Sequence, residues 1–128
     1  MNCPCGTLKE YTDCCEIAHK NIFAVTTAEQ LMRSRYTAFT MGNGDYLMKS
    51  HHSSTRPIKE KKEIENWAKS VTWIRLEIIE VIKGNNADEK GTVAFNAYYY
   101  ENSKVEIINE KSAFVKENDC WFYLGLSN

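Results

Sequence analysis

The stretch TWIRLEIIEVIK, residues 72–83, decides the fold, because there the spacing of apolar residues changes from helical to a period of two. Ile74, Leu76, Ile78 and Ile82 are expected on one face of a strand, with Trp73, Arg75, Glu77, Ile79 and Val81 on the other. A turn region from Gly84 to Asp88 follows. Thr92–Tyr100 is predicted as a second strand, in which Val93, Phe95, Ala97 and Tyr99 alternate against Ala94, Asn96, Tyr98 and Tyr100. Val105–Lys116 reads as a third strand, and Glu117, Asn118 and Asp119 turn the chain into a fourth, Cys120–Leu126. Upstream of residue 72 the pattern is helical. Thr27 with Gln30 three residues on is a capping-box start, and Ala28, Leu31, Met32, Tyr36, Ala38 and Phe39 line one side of a helix ending near Gly42. Asn43, Gly44 and Asp45 open a second short helix. Pro57 interrupts the chain, and a third helix carries Ile64, Trp67, Ala68 and Val71. Helices followed by a four-strand antiparallel run predict an α+β fold with the helices on one face of the sheet.

The 128 residues suit one compact domain with a small appendage. A hydrophobic share of 43% and a charged share of 26% exclude a disordered or fibrous chain. Sixteen Lys and Arg against seventeen Asp and Glu leave a net charge of −1, which argues against nucleic-acid binding driven by bulk charge. The balance is uneven, with residues 21–62 basic and residues 63–128 acidic. No apolar run approaches the roughly 18 residues of a membrane span, and polar Asn2 follows Met1, so a cytoplasmic protein is expected.

Four of the five cysteines fall in the first fifteen residues: Cys3 and Cys5 around Pro4, then Cys14 and Cys15. Cysteines one or two positions apart are poorly placed to bridge each other. A tetrahedral zinc site suits the spacing, with a redox or incidental cluster as the alternative. About twenty residues cannot bury a core of their own, so a metal would have to supply the folding energy of this segment. Cys120 falls in a predicted strand and reads as a small buried hydrophobe.

CPCGTLKEYTDCC, Cys3 to Cys15, closely resembles the SEC-C zinc motif, in which Cys-x-Cys is followed after eight residues by Cys and then Cys or His. The resemblance implies Cys3, Cys5, Cys14 and Cys15 as ligands of one structural Zn²⁺ in a knuckle over residues 1–20. His19 is then expected beside the site or at the surface, not as a fifth ligand. The usual Gly-Ser-Gly-Lys-Lys-Tyr core reads Gly6-Thr7-Leu8-Lys9-Glu10-Tyr11 here, one glycine and one lysine short. With Asp13 and Glu16 nearby the knuckle is acidic, so a protein partner is expected of it and nucleic acid is not. Leu8, Tyr11 and Ile17 are the candidate contact surface; the alternative is that they pack on the rest of the chain as a staple.

Residues 27–128 resemble the nuclear-transport-factor-2-like cone as it occurs in SEC-C proteins of the YchJ-like family. The matching pieces are Ala28-Glu29, Met32 to Phe39, Asp45 to Leu47, His52, Ser54 to Pro57, Trp73, Gly91 to Phe95, Ala97, Glu110 to Ser112, Phe114, Trp121 and Tyr123. Two positions depart from the pattern: Ser53 stands where Pro is usual, and Asn109 where His is usual. Such cones close a curved sheet against helices and leave a pocket at the open end. The polar groups expected to face it are Arg35, Tyr46, His52, Arg56, Glu110 and Ser112, with Trp67, Trp73, Tyr98 and Trp121 as walls. Arg35 falls in the apolar stripe of its helix, and a buried guanidinium needs a carboxylate or a ligand anion. Glu110 is expected to supply the carboxylate as an internal ion pair. No catalytic set is specified, and the absent His at position 109 tilts the reading toward a non-enzymatic module that holds a small ligand, binds a partner or pairs with a second copy. The alternative is a dehydratase-, isomerase- or hydrolase-type enzyme using the same pocket.

Overall fold

A computed structural model of the chain describes residues 2–127. Its N-terminal loop leads into α1 (Cys15–Lys20), followed by α2 (Ala28–Met41), α3 (Gly44–Lys49) and α4 (Lys61–Ser70). The strands β1 (Thr72–Lys83), β2 (Lys90–Glu101), β3 (Lys104–Glu117) and β4 (Cys120–Leu126) form one antiparallel sheet in the order β1-β2-β3-β4. The α+β fold is as expected, with α2 laid across the concave face of the sheet and α3 and α4 beside it.

The ends of α2 follow local chemistry. Thr27 Oγ1 accepts from the Gln30 amide at 3.1 Å, while Gln30 Oε1 accepts from the Thr26 amide at 2.8 Å, so the box closes one residue early. At the other end Gly42 takes φ +64°, and the Asn43 amide returns to the Ala38 carbonyl at 2.8 Å. The Asn43 side chain then caps α3 by accepting from the Tyr46 amide.

The core lies between α2 and the sheet, with Leu31, Ala38, Leu47, Val93, Phe95, Phe114 and Trp121 buried in it. Cys120 is buried there as a small apolar residue. In β2 the predicted alternation holds: Val93, Phe95 and Ala97 face the core, opposite Ser112, Glu110 and Ile108 of β3. In β1 it does not. Register shifts between Trp73 and Arg75 and between Ile78 and Glu80 each insert one residue, and each insertion moves the following side chains to the other face. Trp73, Leu76 and Ile78 therefore share the core face of Tyr99, Ala97 and Phe95, and Val81, paired with Val93, is exposed near the end of the strand, as are Ile74, Ile79 and Ile82. The expected grouping of Ile74 and Ile82 with Leu76 and Ile78 is corrected accordingly. Curving a long strand around a helix requires such bulges, and periodicity over the whole strand cannot show them.

Candidate functional site

The N-terminal loop folds back on itself. The Cys3 amide donates to the Lys9 carbonyl at 2.7 Å and the Gly6 amide to the Cys3 carbonyl at 3.2 Å, with Gly6 at φ +91°. Leu8, where the SEC-C motif usually has glycine, is also held at a positive φ of 70°. Cys14 and Cys15 lie where the chain enters α1. The four sulfurs of Cys3, Cys5, Cys14 and Cys15 are all within 4.8 Å of one another. Cys5 Sγ lies 3.6 Å from Cys14 Sγ. Zn–S bonds of about 2.3 Å place tetrahedral sulfurs about 3.8 Å apart, so this donor set fits such an ion and can hold a metal. A hydrogen bond from Cys15 pulls the Cys5 thiol down to about 4. The same bond, with burial, pushes Cys15 up.

The knuckle is fastened to α2 along one side. Arg33 Nη1 donates to the Cys5 carbonyl at 2.6 Å, and Cys3 Sγ lies 3.7 Å from Thr37 Oγ1. His19 bridges the junction, its Nε2 2.8 Å from the Ser34 carbonyl and its Nδ1 2.9 Å from the Tyr11 hydroxyl. A carbonyl can only accept, so Nε2 carries the proton and Nδ1 accepts from Tyr11. Burial keeps His19 below its ordinary pKa, which favours this neutral form. His19 thus ties α1 to α2 through Tyr11 and Ser34. Tyr11 is turned into the junction, whereas Leu8 and Ile17 are exposed. Only those two of the three candidate contact residues are free at the surface.

On the other side of α2 a cavity of about 270 Å³ opens toward the concave sheet. Its walls are aromatic and aliphatic, with Trp67, Trp73, Tyr36 and Phe39 on one side and Met48, Ile108 and Tyr123 on the other. Trp67 stands edge-on to both Trp73 and Tyr99. Arg35, Glu110 and Ser112 are among the residues that line the cavity. Arg35 is 7% exposed and donates through Nη1 to the Leu47 carbonyl at 2.9 Å and Ser50 Oγ at 2.7 Å, at the C-terminal end of α3. Its guanidinium lies over the Tyr123 ring, 4.4 Å from the centroid. Burial draws it down to about 10, still protonated at neutral pH. The expected Arg35–Glu110 ion pair is not made. Among the described residues neither group is in a salt bridge. The carbonyl end of α3 and the face of Tyr123 take the place of the carboxylate.

Five other expectations are corrected by position. Tyr46 faces the knuckle side, its hydroxyl 2.7 Å from Ser34 Oγ and its ring 4.5 Å from that of His19. His52 points away from the cavity: Nε2 lies 2.9 Å from Glu117 and Nδ1 2.7 Å from Ser54 Oγ. Arg56 Nε donates to the His51 carbonyl outside the cavity. Tyr98 is on the convex face of the sheet, under Arg75 and donating to Glu77 at 3.0 Å. Trp121 is in the solid core, with Nε1 donating to the Thr26 carbonyl at 3.1 Å. Asn109 is likewise convex-side, bonded to Asn96, so its departure from the family pattern does not touch the cavity.

His51, which sequence reading passed over, lines the cavity instead. Just past α3, His51 forms a parallel bridge with Tyr123 of β4, the Tyr123 amide donating to the Ser50 carbonyl and the His52 amide to the Tyr123 carbonyl, both at 2.8 Å. Successive side chains of an extended segment point to opposite sides, so this bridge sends His51 inward and His52 outward. Burial first, then the charges of Arg35 and Arg56, push His51 down to about 4.

A family model described as YchJ, middle NTF2-like domain, matches residues 27–125. The chain is 42% identical over 123 residues to a UPF0225 protein of Vibrio parahaemolyticus, covering 96% of this chain and 72% of that protein. A UPF0225 protein of a Shewanella strain is 36% identical over 128 residues, covering 95% and 77%. Among solved structures, a SEC-C motif containing protein from Rhodopseudomonas palustris is similar with a TM-score of 0.84 and 27% identity, over 99% of this chain and 98% of that one. Another from Psychrobacter arcticus gives 0.82 and 29%, over 100% and 84%. None of the described helices is long and apolar enough to cross a membrane. With its cysteine cluster fastened to α2 and its matched cone, the chain belongs to the family of SEC-C motif proteins built on the YchJ middle NTF2-like domain.

Proposed function

We propose that the chain is a non-enzymatic ligand-binding module, in which residues 1–20 hold one structural zinc ion and the cone of residues 27–128 takes up a small molecule. The preformed cavity beside α2, apolar on most sides and with the Arg35 cation at one end, carries this reading. At about 270 Å³ it lies just below the ~300–1,000 Å³ of drug-sized pockets, so its ligand is small. Four thiolates close a tetrahedron and leave no position for a reactive water, which supports a structural ion. Its ligands lie on the side of α2 away from the cavity, and the contacts of Arg33, His19 and Tyr11 support reading the knuckle as a staple. Histidine 51, the imidazole at the cavity, is too weak a base near 4 to take protons efficiently at neutral pH, which weighs against the enzyme alternative.

The test uses the full chain purified without chelator. Elemental analysis is expected to give one zinc per chain, and its absence would overturn the staple. Ligand-observed NMR is expected to detect indole in the wild type and to lose it in Ile108→Trp, which fills the cavity while circular dichroism shows the fold intact. Indole binding unaffected by Ile108→Trp would overturn the cavity reading.

A further inference from the structure

Two opposite charges line the cavity and neither is neutralised by the other. Arg35 is a buried cation whose hydrogen bonds to described residues both leave from Nη1. Glu110, half-buried on β3, projects from the core face between Ile108 and Ser112. The groups around them do not change that balance. His51 is the remaining imidazole at the cavity, and burial together with the nearby arginines keeps it neutral at physiological pH. Ser112 and Tyr123 bring hydroxyls. The remaining lining is aromatic or aliphatic.

We propose that the cavity binds a small zwitterion with an aromatic or branched apolar body, the chemistry of an α-amino acid, with its carboxylate toward Arg35 and its ammonium toward Glu110. The assignment rests on the ligand-binding reading above and narrows it. A simple anion entering the cavity would satisfy Arg35 but bring a second negative charge beside Glu110. A simple cation would do the reverse. A neutral apolar molecule would fill the walls and leave Glu110 without a counter-charge and Arg35 with only the Leu47 carbonyl, the Ser50 hydroxyl and the Tyr123 ring, which is costly in a confined site. A zwitterion answers both charges at once, and the Trp67–Trp73 wall receives its side chain. Specificity would then come from the penalty each truncated analogue suffers at the charge it leaves unpaired.

Isothermal titration of the zinc-loaded full chain separates these cases, with L-phenylalanine, 3-phenylpropanoate, 2-phenylethylamine and indole as probes. Phenylalanine is expected to bind at least about tenfold more tightly than either singly charged analogue, since charge-assisted hydrogen bonds each contribute about that factor. Glu110→Gln should abolish the preference over 3-phenylpropanoate while retaining carboxylate binding. Arg35→Met should abolish the preference over 2-phenylethylamine; if that variant does not fold, Glu110→Gln alone decides the matter. Equal or tighter binding of either analogue, or of indole, overturns the zwitterion assignment and leaves the ligand-binding reading standing. If no probe binds the folded protein, the ligand-binding reading falls first and this assignment with it.

Discussion

Protonation of His51 should make the protein lose stability in mild acid, by an amount the structure sets. In the unfolded chain this imidazole titrates near 6.5; in the fold, burial and the charges of Arg35 and Arg56 hold it near 4. Between those values the unfolded state binds more protons than the native state, so the free energy of unfolding falls as the pH drops through the window. Below about 4 both states are protonated and the loss is complete. One pKa unit corresponds to about 1.36 kcal/mol, which puts the full displacement near 3 kcal/mol. His51 keeps partial solvent contact, and discounting for that screening leaves about 2 kcal/mol. Urea unfolding of the wild type and His51→Gln, compared from about pH 7.5 to about 4, isolates the effect because the carboxylates common to both proteins cancel. The wild type should lose about 2 kcal/mol more than the variant. Arg35→Met, by removing one of the charges that depress His51, should narrow the window. Parallel curves for wild type and His51→Gln across the whole range would refute the inward placement of His51.

Trp121→Phe removes the only indole donor to the Thr26 carbonyl and leaves a void in a site with 0% exposure; a loss of about 2–3 kcal/mol is expected in urea unfolding. Leu8→Gly should act in the opposite direction. Leu8 is 77% exposed and held at φ +70°, so glycine gives up little burial and relieves about 1–2 kcal/mol of backbone strain, partly offset by its greater unfolded-state entropy. A net gain of about 0.5–1 kcal/mol, read as slower amide exchange in residues 3–15, is the expected outcome, and faster exchange would contradict it.

What the sequence revealed about this fold was what neighbouring residues decide among themselves. The start of α2 at Thr27, its end at Gly42, the alternation of Val93, Phe95 and Ala97 and the clustering of four cysteines all depend on contacts a few residues apart or on simple spacing. The phase of β1 escaped because two bulges answer to the curvature of the whole sheet, and no residue in residues 72–83 announces them. His51 and His52 were told apart only by the bridge to Tyr123, more than seventy positions away.

Arg35 shows most clearly where charge logic ends. The rule that a buried guanidinium needs a negative partner correctly predicted that this position was unusual, and Glu110 does reach the same cavity. The rule did not predict how the need would be met, because backbone carbonyls at a helix end and an aromatic face are invisible as charges in a sequence. Leu47 and Ser50 supply the first and Tyr123 the second. An internal Arg35–Glu110 pair would have neutralised both groups and closed the polar end of the cavity. With Arg35 held by α3 instead, the two charged groups line one cavity without pairing, which is the feature on which the proposed ligand reading rests.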